Sequence, residues 1–345
     1  MTAVSLRGTV NVRPYRDDDE SAILELLDVT LGGGPAGRRP AEFFRWKHLE
    51  NPAGRSFMLV AELDGAIVGF RAFMRWRFVT AGSILRAVRA VDTATHPEHQ
   101  GKGIFSTLTL RALDDLRGET DLVFNTPNES SLPGYLKMGW RTVGRVPVWI
   151  RVRRPVAFAR GLRTIHRPNE PAGDSGPEVE APPAMELFKR PQELATFLER
   201  VSVSDDRIAT PQDLDYLTWR YGRAPLLGYR AITEDGGGGL TGIAIFRVRP
   251  RGALWETTLA DIIVRPGDRR TARRLIGRVV AASRVHHVTC IFPTGSTQLA
   301  AARARGFLRW RRGEVLVVNA LNPDLGPVAT RPDSWSLSLG TLEVF

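Results

Sequence analysis

The most informative stretch of the sequence is "VDTATHPEHQGKGIFSTL", Val91 to Leu108. It begins with β-branched residues, passes Pro97, reaches the glycines Gly101 and Gly103, and continues into an apolar pattern typical of a helix. A strand that enters a helix through glycines leaves free backbone N–H groups at the first helical turn, and these groups and the helix dipole bind anions. The stretch therefore predicts a phosphate-binding turn between a strand and a helix.

Two familiar phosphate loops do not fit this turn, because its residues match neither G-x-x-x-x-G-K-[ST] nor G-x-G-x-x-G. The run "QGKGIF", Gln100 to Phe105, instead resembles the pyrophosphate-binding motif Q/R-x-x-G-x-G/A of the GNAT superfamily of acyl-CoA N-acyltransferases. Downstream, "NESSLPGYLKMGW" resembles the second signature of that family, an Asn followed by a Tyr and a Gly-aromatic pair. The resemblance covers about Val10 to Val152, and Phe105 departs from the small residue expected there.

The resemblance implies a mixed α/β GNAT fold with acetyl-CoA as co-substrate. The long strand and the next one are expected to splay apart, so that the pantetheine pairs with Thr93 and Thr95 and an N–H near Thr93 or Ala94 polarises the thioester carbonyl. The implied cofactor-binding residues are Thr93, Ala94, Thr95, Gln100, Gly101, Lys102, Gly103, Ile104, Phe105, Ser106 and Asn128.

The reaction that the resemblance implies is direct attack of a neutral amine on the thioester. Tyr135 is the implied proton donor for the departing thiolate. Three candidates for the general base remain open: Asp92, the terminal carboxylate of Phe345, and water. Many relatives carry a glutamate for this role where the present sequence has Arg89.

The two halves of the chain resemble each other, which predicts a duplicated α/β unit. The recurring pairs are Trp46 with Trp219, Asp92 with Asp261, Pro97 with Pro266, and Gly139 with Gly306. We expect a GNAT domain with the acetyl-CoA site at 1–165, a linker rich in Pro, Gly and acidic residues at 166–184, and a degenerate GNAT-like domain at 185–345. The degenerate unit has Arg269 and Arg270 in place of the glycines.

Amino-acid composition limits the classes of ligand and the cellular location that we expect for this protein. The net charge of +11 comes almost entirely from arginines spread through both halves, without a stripe interleaved with aromatics, so nucleic-acid binding is not predicted, and the positive field favours an anionic ligand. No apolar run is long enough for a membrane span and no signal peptide is evident, so we expect a cytoplasmic protein. Cys290 is the only cysteine, and His96 and His99 lack a third ligand in the sequence pattern, so no metal is expected.

The favoured function is therefore an acetyl-CoA-dependent N-acetyltransferase acting on a small-molecule or sugar amine, with a homodimer as one possible assembly. The "W-x-H-x-E-N-P" pattern at Trp46 and the strand-like C-terminal run "SWSLSLGTLEVF" resemble two-unit GNAT proteins of surface polysaccharide synthesis. Two alternatives stay open. One is an aminoglycoside-type resistance acetyltransferase, which usually has a third domain that this chain is too short to hold, and the other is a non-catalytic CoA-binding sensor or scaffold.

Overall fold

A computed structural model of the chain describes residues 10–32, 40–164, 176–202, 206–310 and 313–342. The strands are β1 Asn11–Pro14, β2 Phe57–Leu63, β3 Ala66–Thr80, β4 Ser83–Thr95, β5 Leu122–Asn125, β6 Arg141–Val146, β7 Trp149–Val152, β8 Ile208–Ala209, β9 Arg230–Gly236, β10 Gly239–Arg251, β11 Leu254–Val264, β12 His287–Cys290, β13 Leu308–Arg309, β14 Glu314–Ala320 and β15 Trp335–Ser336.

The α-helices are α1 Glu20–Leu31, α2 Ala41–His48, α3 Ile104–Asp115, α4 Leu132–Lys137, α5 Pro155–Gly161, α6 Pro191–Val201, α7 Leu214–Leu217, α8 Arg269–Ala281, α9 Thr297–Ala304, α10 Gly326–Ala329 and α11 Leu339–Leu342. A π-helical turn at Thr218–Gly222 continues α7. Short 3₁₀ turns lie at Asp17–Asp19, Pro97–His99, Leu162–Thr164, Ala184–Lys189, Pro323–Leu325 and Pro332–Ser334. In the described ranges, no helix has both the length and the apolar character needed to cross a membrane.

Two mixed sheets organise these elements, as the predicted mixed α/β class requires. The first has the order β1-β2-β3-β4-β5-β14-β6, with β8 joining β3 and β15 joining β8. The second has the order β13-β7-β12-β11-β10-β9. Each sheet has a parallel pair at its centre, β4 with β5 and β11 with β12. Helix α3 packs on the first sheet and α8 on the second, so the halves repeat one architecture.

The two halves exchange a strand. Strand β7 of the first half lies between β12 and β13 in the second sheet, antiparallel to both. Strand β14 of the second half lies between β5 and β6 in the first sheet, again antiparallel to both. The division at 165 and 185 therefore separates the halves of the chain but not the two sheets, since each sheet is completed by the other half.

A reciprocal contact of two tryptophans joins the halves on their pseudo-symmetric elements. The indole N–H of Trp46 donates to the carbonyl of Trp219, and the indole N–H of Trp219 donates to the carbonyl of Trp46, both at 2.8 Å. The two rings stack with centroids 5.1 Å apart. One apolar cluster holds side chains of both halves, including Trp76, Leu217 and Ile245. The halves thus share a core.

The C-terminal run corrects one expectation. The sequence predicts a strand up to the last residue, but of this run's described residues, 334–342, only Trp335–Ser336 is extended within a sheet, and Leu339–Leu342 forms a helical turn. The reason is tertiary: Gly340 packs so closely on the second half that a Cβ atom there would overlap the Tyr221 hydroxyl and the Asp261 carboxylate. The expected role of Phe345 falls outside the described residues, as does most of the predicted linker.

Candidate functional site

The glycine turn has the geometry that the sequence predicts. Gly101 and Gly103 have φ of 74° and 82°, the left-handed region that glycine enters without strain. Gly103 is the N-cap of α3 and provides no side-chain cap, so the N–H groups of Ile104, Phe105 and Ser106 have no backbone partner in the described residues. These donors lie in a turn whose glycines are exposed, an arrangement of the kind that binds anions at helix N-termini.

Strands β4 and β5 splay beside this turn. Their parallel pairing runs only from Ala87 with Leu122 to Arg89 with Phe124, whereas β4 continues to Thr95. On its other edge β4 remains paired with β3 up to Thr95. Across the described residues, the edge of β4 that faces β5 is therefore free of strand pairing beyond Arg89, where Thr93, Ala94 and Thr95 were expected to bind the pantetheine. Gln100 is tied to this strand end, since its amide donates to the Thr95 carbonyl at 3.3 Å.

Tyr135 lies on α4 at the same side of the sheet as α3. Its side chain is 4% exposed and packs edge-on against Trp140 and Phe105, with ring centroids 5.2 and 5.7 Å away. Its hydroxyl has no hydrogen-bond partner among the residues described, so it is available to a ligand. Asn128 is exposed, and its side-chain oxygen accepts from the Ser131 N–H at 2.9 Å, so in the structure it shapes the turn before α4.

Sequence reasoning missed Arg71, which lies between Tyr135 and β4. Its side chain is fully buried, and its Nη1 donates to the hydroxyl of Thr93. The guanidinium carbon lies 4.6 Å from the Phe73 ring centroid, 5.5 Å from that of Phe105 and 5.4 Å from that of Tyr135. An arginine, a threonine of the splayed strand and the candidate acid therefore form one cluster.

Asp92 joins a different set of residues. It occupies a β-bulge of β4 with φ of 41°, a conformation that re-aims its side chain. Its carboxylate accepts from Lys47 Nζ at 2.7 Å and contacts His48 Nε2 at 2.8 Å, and His48 Nδ1 lies 2.9 Å from the Ser56 hydroxyl. Since Lys47 and His48 belong to α2, Asp92 faces α2, whereas Tyr135 packs with α3.

The second half repeats the Asp92 arrangement. Asp261 accepts a hydrogen bond from the Tyr221 hydroxyl, and Tyr221 stands at the position of His48 in the repeated Trp-containing segment. Burial raises the pKa of Asp261. The second half has this aspartate although it has no glycine turn. We therefore attribute the arrangement to packing of the Trp-containing segment against the central strand.

Arg89 anchors the end of the described chain. Its guanidinium donates to the carbonyls of Thr341 and Leu342, both at 2.6 Å, and to the Thr126 hydroxyl at 3.1 Å. Burial lowers the pKa of Arg89 to about 9, and the nearby Arg220 acts in the same direction. Arg89, at the expected glutamate position, therefore holds helix α11 in place by hydrogen bonds and does not serve as a base.

His96, Glu98 and His99 form a group that the sequence pattern did not anticipate. Their potential ligand atoms lie within 4.8 Å of one another on the 3₁₀ turn before the glycines. The ammonium of Lys102 lies 3.4 Å from His99 Nδ1. A cation at that position would be repelled by Lys102, so the group gives no support for a metal centre.

A glycine turn at the head of a helix, set at the mouth of two splayed parallel strands, defines a fold of the CoA-dependent acyltransferase type. Residues 11–143 match the family model described as an acetyltransferase (GNAT) domain. Residues 11–143 are thus similar to a GNAT acetyltransferase domain, and the family model does not extend over the second half of the chain. No curated protein matches the sequence at a significant level.

Solved structures extend the similarity over both halves. A probable N-acyltransferase from Enterococcus faecalis matches with a TM-score of 0.62 and 11% identity, over 91% of this chain and 73% of that chain. A GCN5-related N-acetyltransferase from Anabaena variabilis matches with a TM-score of 0.58 and 13% identity, over 91% of this chain and 73% of that chain. One from Kribbella flavida matches with a TM-score of 0.57 and 14% identity, over 94% of this chain and 74% of that chain. At these identities the matches establish the fold.

Proposed function

We propose that this protein is an N-acyltransferase that moves an acyl group, acetyl in the simplest case, from CoA to a primary amine of a small molecule or sugar. The observation that carries the proposal is the unpaired N–H groups at the head of α3, placed beside the free edge of β4 and the Tyr135 hydroxyl. The N–H groups suit a diphosphate, the free strand edge suits a strand-like pantetheine arm, and the hydroxyl suits a thiolate leaving group.

Each part of the site has one task in this proposal. The turn N–H groups and Lys102 bind the diphosphate, and the free edge of β4 binds the pantetheine arm. An N–H near Thr93 or Ala94 polarises the thioester carbonyl where negative charge develops. The amine nitrogen bonds to the carbonyl carbon, the carbon–sulfur bond breaks, and Tyr135 donates its proton to the sulfur.

In this proposal the amine loses its proton on the face of the sheet that carries α2, opposite the face that carries α3 and Tyr135. Asp92 is the candidate base there, because its carboxylate is the acidic group of the β4 bulge facing α2. Its ion pair with Lys47 favours the ionised carboxylate, and the repeated arrangement in the second half accounts for its packing role. Water and the terminal carboxylate of Phe345 are the alternative bases.

The direct test is turnover of acetyl-CoA with a panel of amines that includes amino sugars, aminoglycosides and polyamines, followed by release of free CoA thiol. An amine-dependent thiol release with formation of the amide supports the enzyme. Binding of acetyl-CoA without turnover for any amine would instead favour a CoA sensor, and turnover restricted to aminoglycosides would favour a resistance enzyme.

Replacing Gly103 with glutamate should weaken acetyl-CoA binding at least about 100-fold, because hydrogen bonds to a charged group contribute roughly 1.5–3 kcal/mol each and the new carboxylate repels the diphosphate. The control is Gly118→Glu at the other end of α3. Both glycines have φ of 82°, are exposed, and would place a Cβ in open space, so the backbone strain is matched. Calorimetric affinity that is equal in the two variants would contradict the diphosphate site.

We expect one acetyl-CoA per chain. In the second half Asp268 caps α8, its carboxylate accepting from the Thr271 N–H at 3.0 Å, so a negative group already occupies the helix end. Arg269 and Arg270 add charge nearby, but exposed pairs are worth only about 0–1 kcal/mol. Titration calorimetry should give a stoichiometry near one for the unmodified chain. Two equivalents, or one that persists in Gly103→Glu, would mean that the second half also binds the cofactor.

A further inference from the structure

Arg71 is a buried cation that has no counter-ion among the described residues. Its side chain is fully buried, and no carboxylate among the described residues forms an ion pair with it. One nitrogen, Nη1, bonds to Thr93, while Nε and Nη2 are buried and have no hydrogen-bond partner in the described chain. Leaving charged donors unsatisfied in the interior is costly, so such a group calls for a ligand.

The fold itself does not need an arginine at this position. The strand registers and the helix contacts of two glycines, Gly69 and Gly242, align the two halves residue by residue. The corresponding pairs in the cluster are Arg71 and Ala244, Thr93 and Ile262, Phe105 and Ala272, and Tyr135 and Ala302. All four replacements are buried and apolar. The half that lacks the glycine turn therefore has none of the cluster, although it has Asp261 at the position of Asp92.

The two unsatisfied nitrogens specify the chemistry of the ligand. Nε and Nη2 form one side of the guanidinium plane, and together they make the fork that binds a carboxylate through two parallel hydrogen bonds. The guanidinium that carries the fork lies near the Tyr135 ring and is bonded through Nη1 to Thr93, and in the proposed function these two residues flank the sulfur and the carbonyl of the thioester. A group reaching the fork from the thioester carbonyl is the acyl group itself.

We propose that Arg71 determines acyl specificity and that the preferred donor is a CoA thioester of a short dicarboxylic acid, whose free carboxylate binds Nε and Nη2. The inference rests on the proposed function and names its acyl class. The half-buried Phe105 ring must turn aside to admit the carboxylate. The amine nitrogen bonds to the thioester carbon, the carbon–sulfur bond breaks and the sulfur takes a proton, giving free CoA and an amide that keeps the carboxylate.

The test compares two matched pairs of donors by titration calorimetry: succinyl-CoA with butyryl-CoA, and malonyl-CoA with propionyl-CoA. Within each pair the carbon count is equal and only one member ends in a carboxylate. We expect the unmodified chain to bind at least one carboxylate donor about tenfold or more tightly than its neutral match, a factor equivalent to about 1.4 kcal/mol. Arg71→Met should abolish that preference. It should change affinity for the neutral donors by less than about threefold, because they have no carboxylate to hydrogen-bond to the guanidinium.

Two further variants separate recognition from folding. Arg75→Met, on the same face of β3 and paired with Glu119, should keep the carboxylate preference. Arg71→Lys should keep only part of it, since an ammonium lacks the fork. A preference retained in Arg71→Met, or absent from the unmodified chain although all four donors bind, overturns the inference and leaves the proposed function intact. Failure of every donor to bind contradicts the proposed function first. A lower melting temperature of Arg71→Met with unchanged preference would assign Arg71 to folding.

Discussion

The variant Tyr135→Phe should lower kcat by about 10²–10⁴-fold, the usual contribution of a positioned general acid, and leave acyl-CoA affinity nearly unchanged. The side chain is buried and packs through its ring on Trp140 and Phe105, so phenylalanine preserves the packing and removes only the hydroxyl. Because the hydroxyl has no hydrogen-bond partner within the described residues, its removal should leave no buried group unsatisfied. Steady-state rates with saturating acetyl-CoA and calorimetric affinity measure the two effects.

The matched control for this experiment is Tyr15→Phe. The Tyr15 hydroxyl is also buried without a hydrogen-bond partner in the described chain, but its ring packs on Phe44, on the α2 side of the sheet. We expect the control to retain the rate of the unmodified protein. A Tyr135→Phe variant with that same rate would mean that water, or another group, protonates the thiolate.

The variant Asp92→Asn should destabilise the protein by about 3–5 kcal/mol, because it removes the charge that pairs with the buried Lys47 ammonium. Both side chains are well buried, at 3% exposure for Lys47 and 7% for Asp92. Denaturant unfolding followed by tryptophan fluorescence gives the free energy of unfolding. The double variant Lys47→Met with Asp92→Asn should recover part of the loss, since it removes both members of the pair.

The exposed pair of Arg55 with Asp17 supplies the comparison, because its side chains are 58% and 77% exposed. We expect Asp17→Asn to cost less than about 1 kcal/mol. If Asp92→Asn costs no more than Asp17→Asn, the ion pair with Lys47 does not support the bulge. A loss of amine-dependent turnover in folded Asp92→Asn, with acetyl-CoA affinity retained, would assign Asp92 the base role as well.

Local sequence patterns predict the part of the site that depends on backbone conformation. Gly101 and Gly103 signal positive φ, and the apolar pattern after them signals a helix, so the turn, its free N–H groups and the position of Tyr135 on a short helix follow from the sequence. The structure ends β4 at Thr95 and begins α3 at Ile104, on either side of the glycine turn. These elements are decided by residues close together in the chain.

Features decided by distant residues could not be predicted in this way. The segment "EVLVVNA" identifies β14 as a strand, but nothing in it specifies pairing with β5 and β6 of the other half. Strand β3 contains three arginines, and only the fold shows that Arg71 is fully buried whereas Arg75 and Arg77 are 25% and 37% exposed. The contact of Lys47 and His48 with Asp92 depends on a bulge in β4 that no local signal marks.

The reciprocal tryptophan contact and the exchanged strands have a consequence for how the chain can be divided. A contact in which the first group meets the second while the second meets the first is the isologous pattern of a two-fold dimer. Here the two partners are halves of one chain, and each sheet contains a strand from the other half. Neither sheet is therefore complete within one half, so a cut between the halves would take β14 away from the sheet that holds the glycine turn and Tyr135.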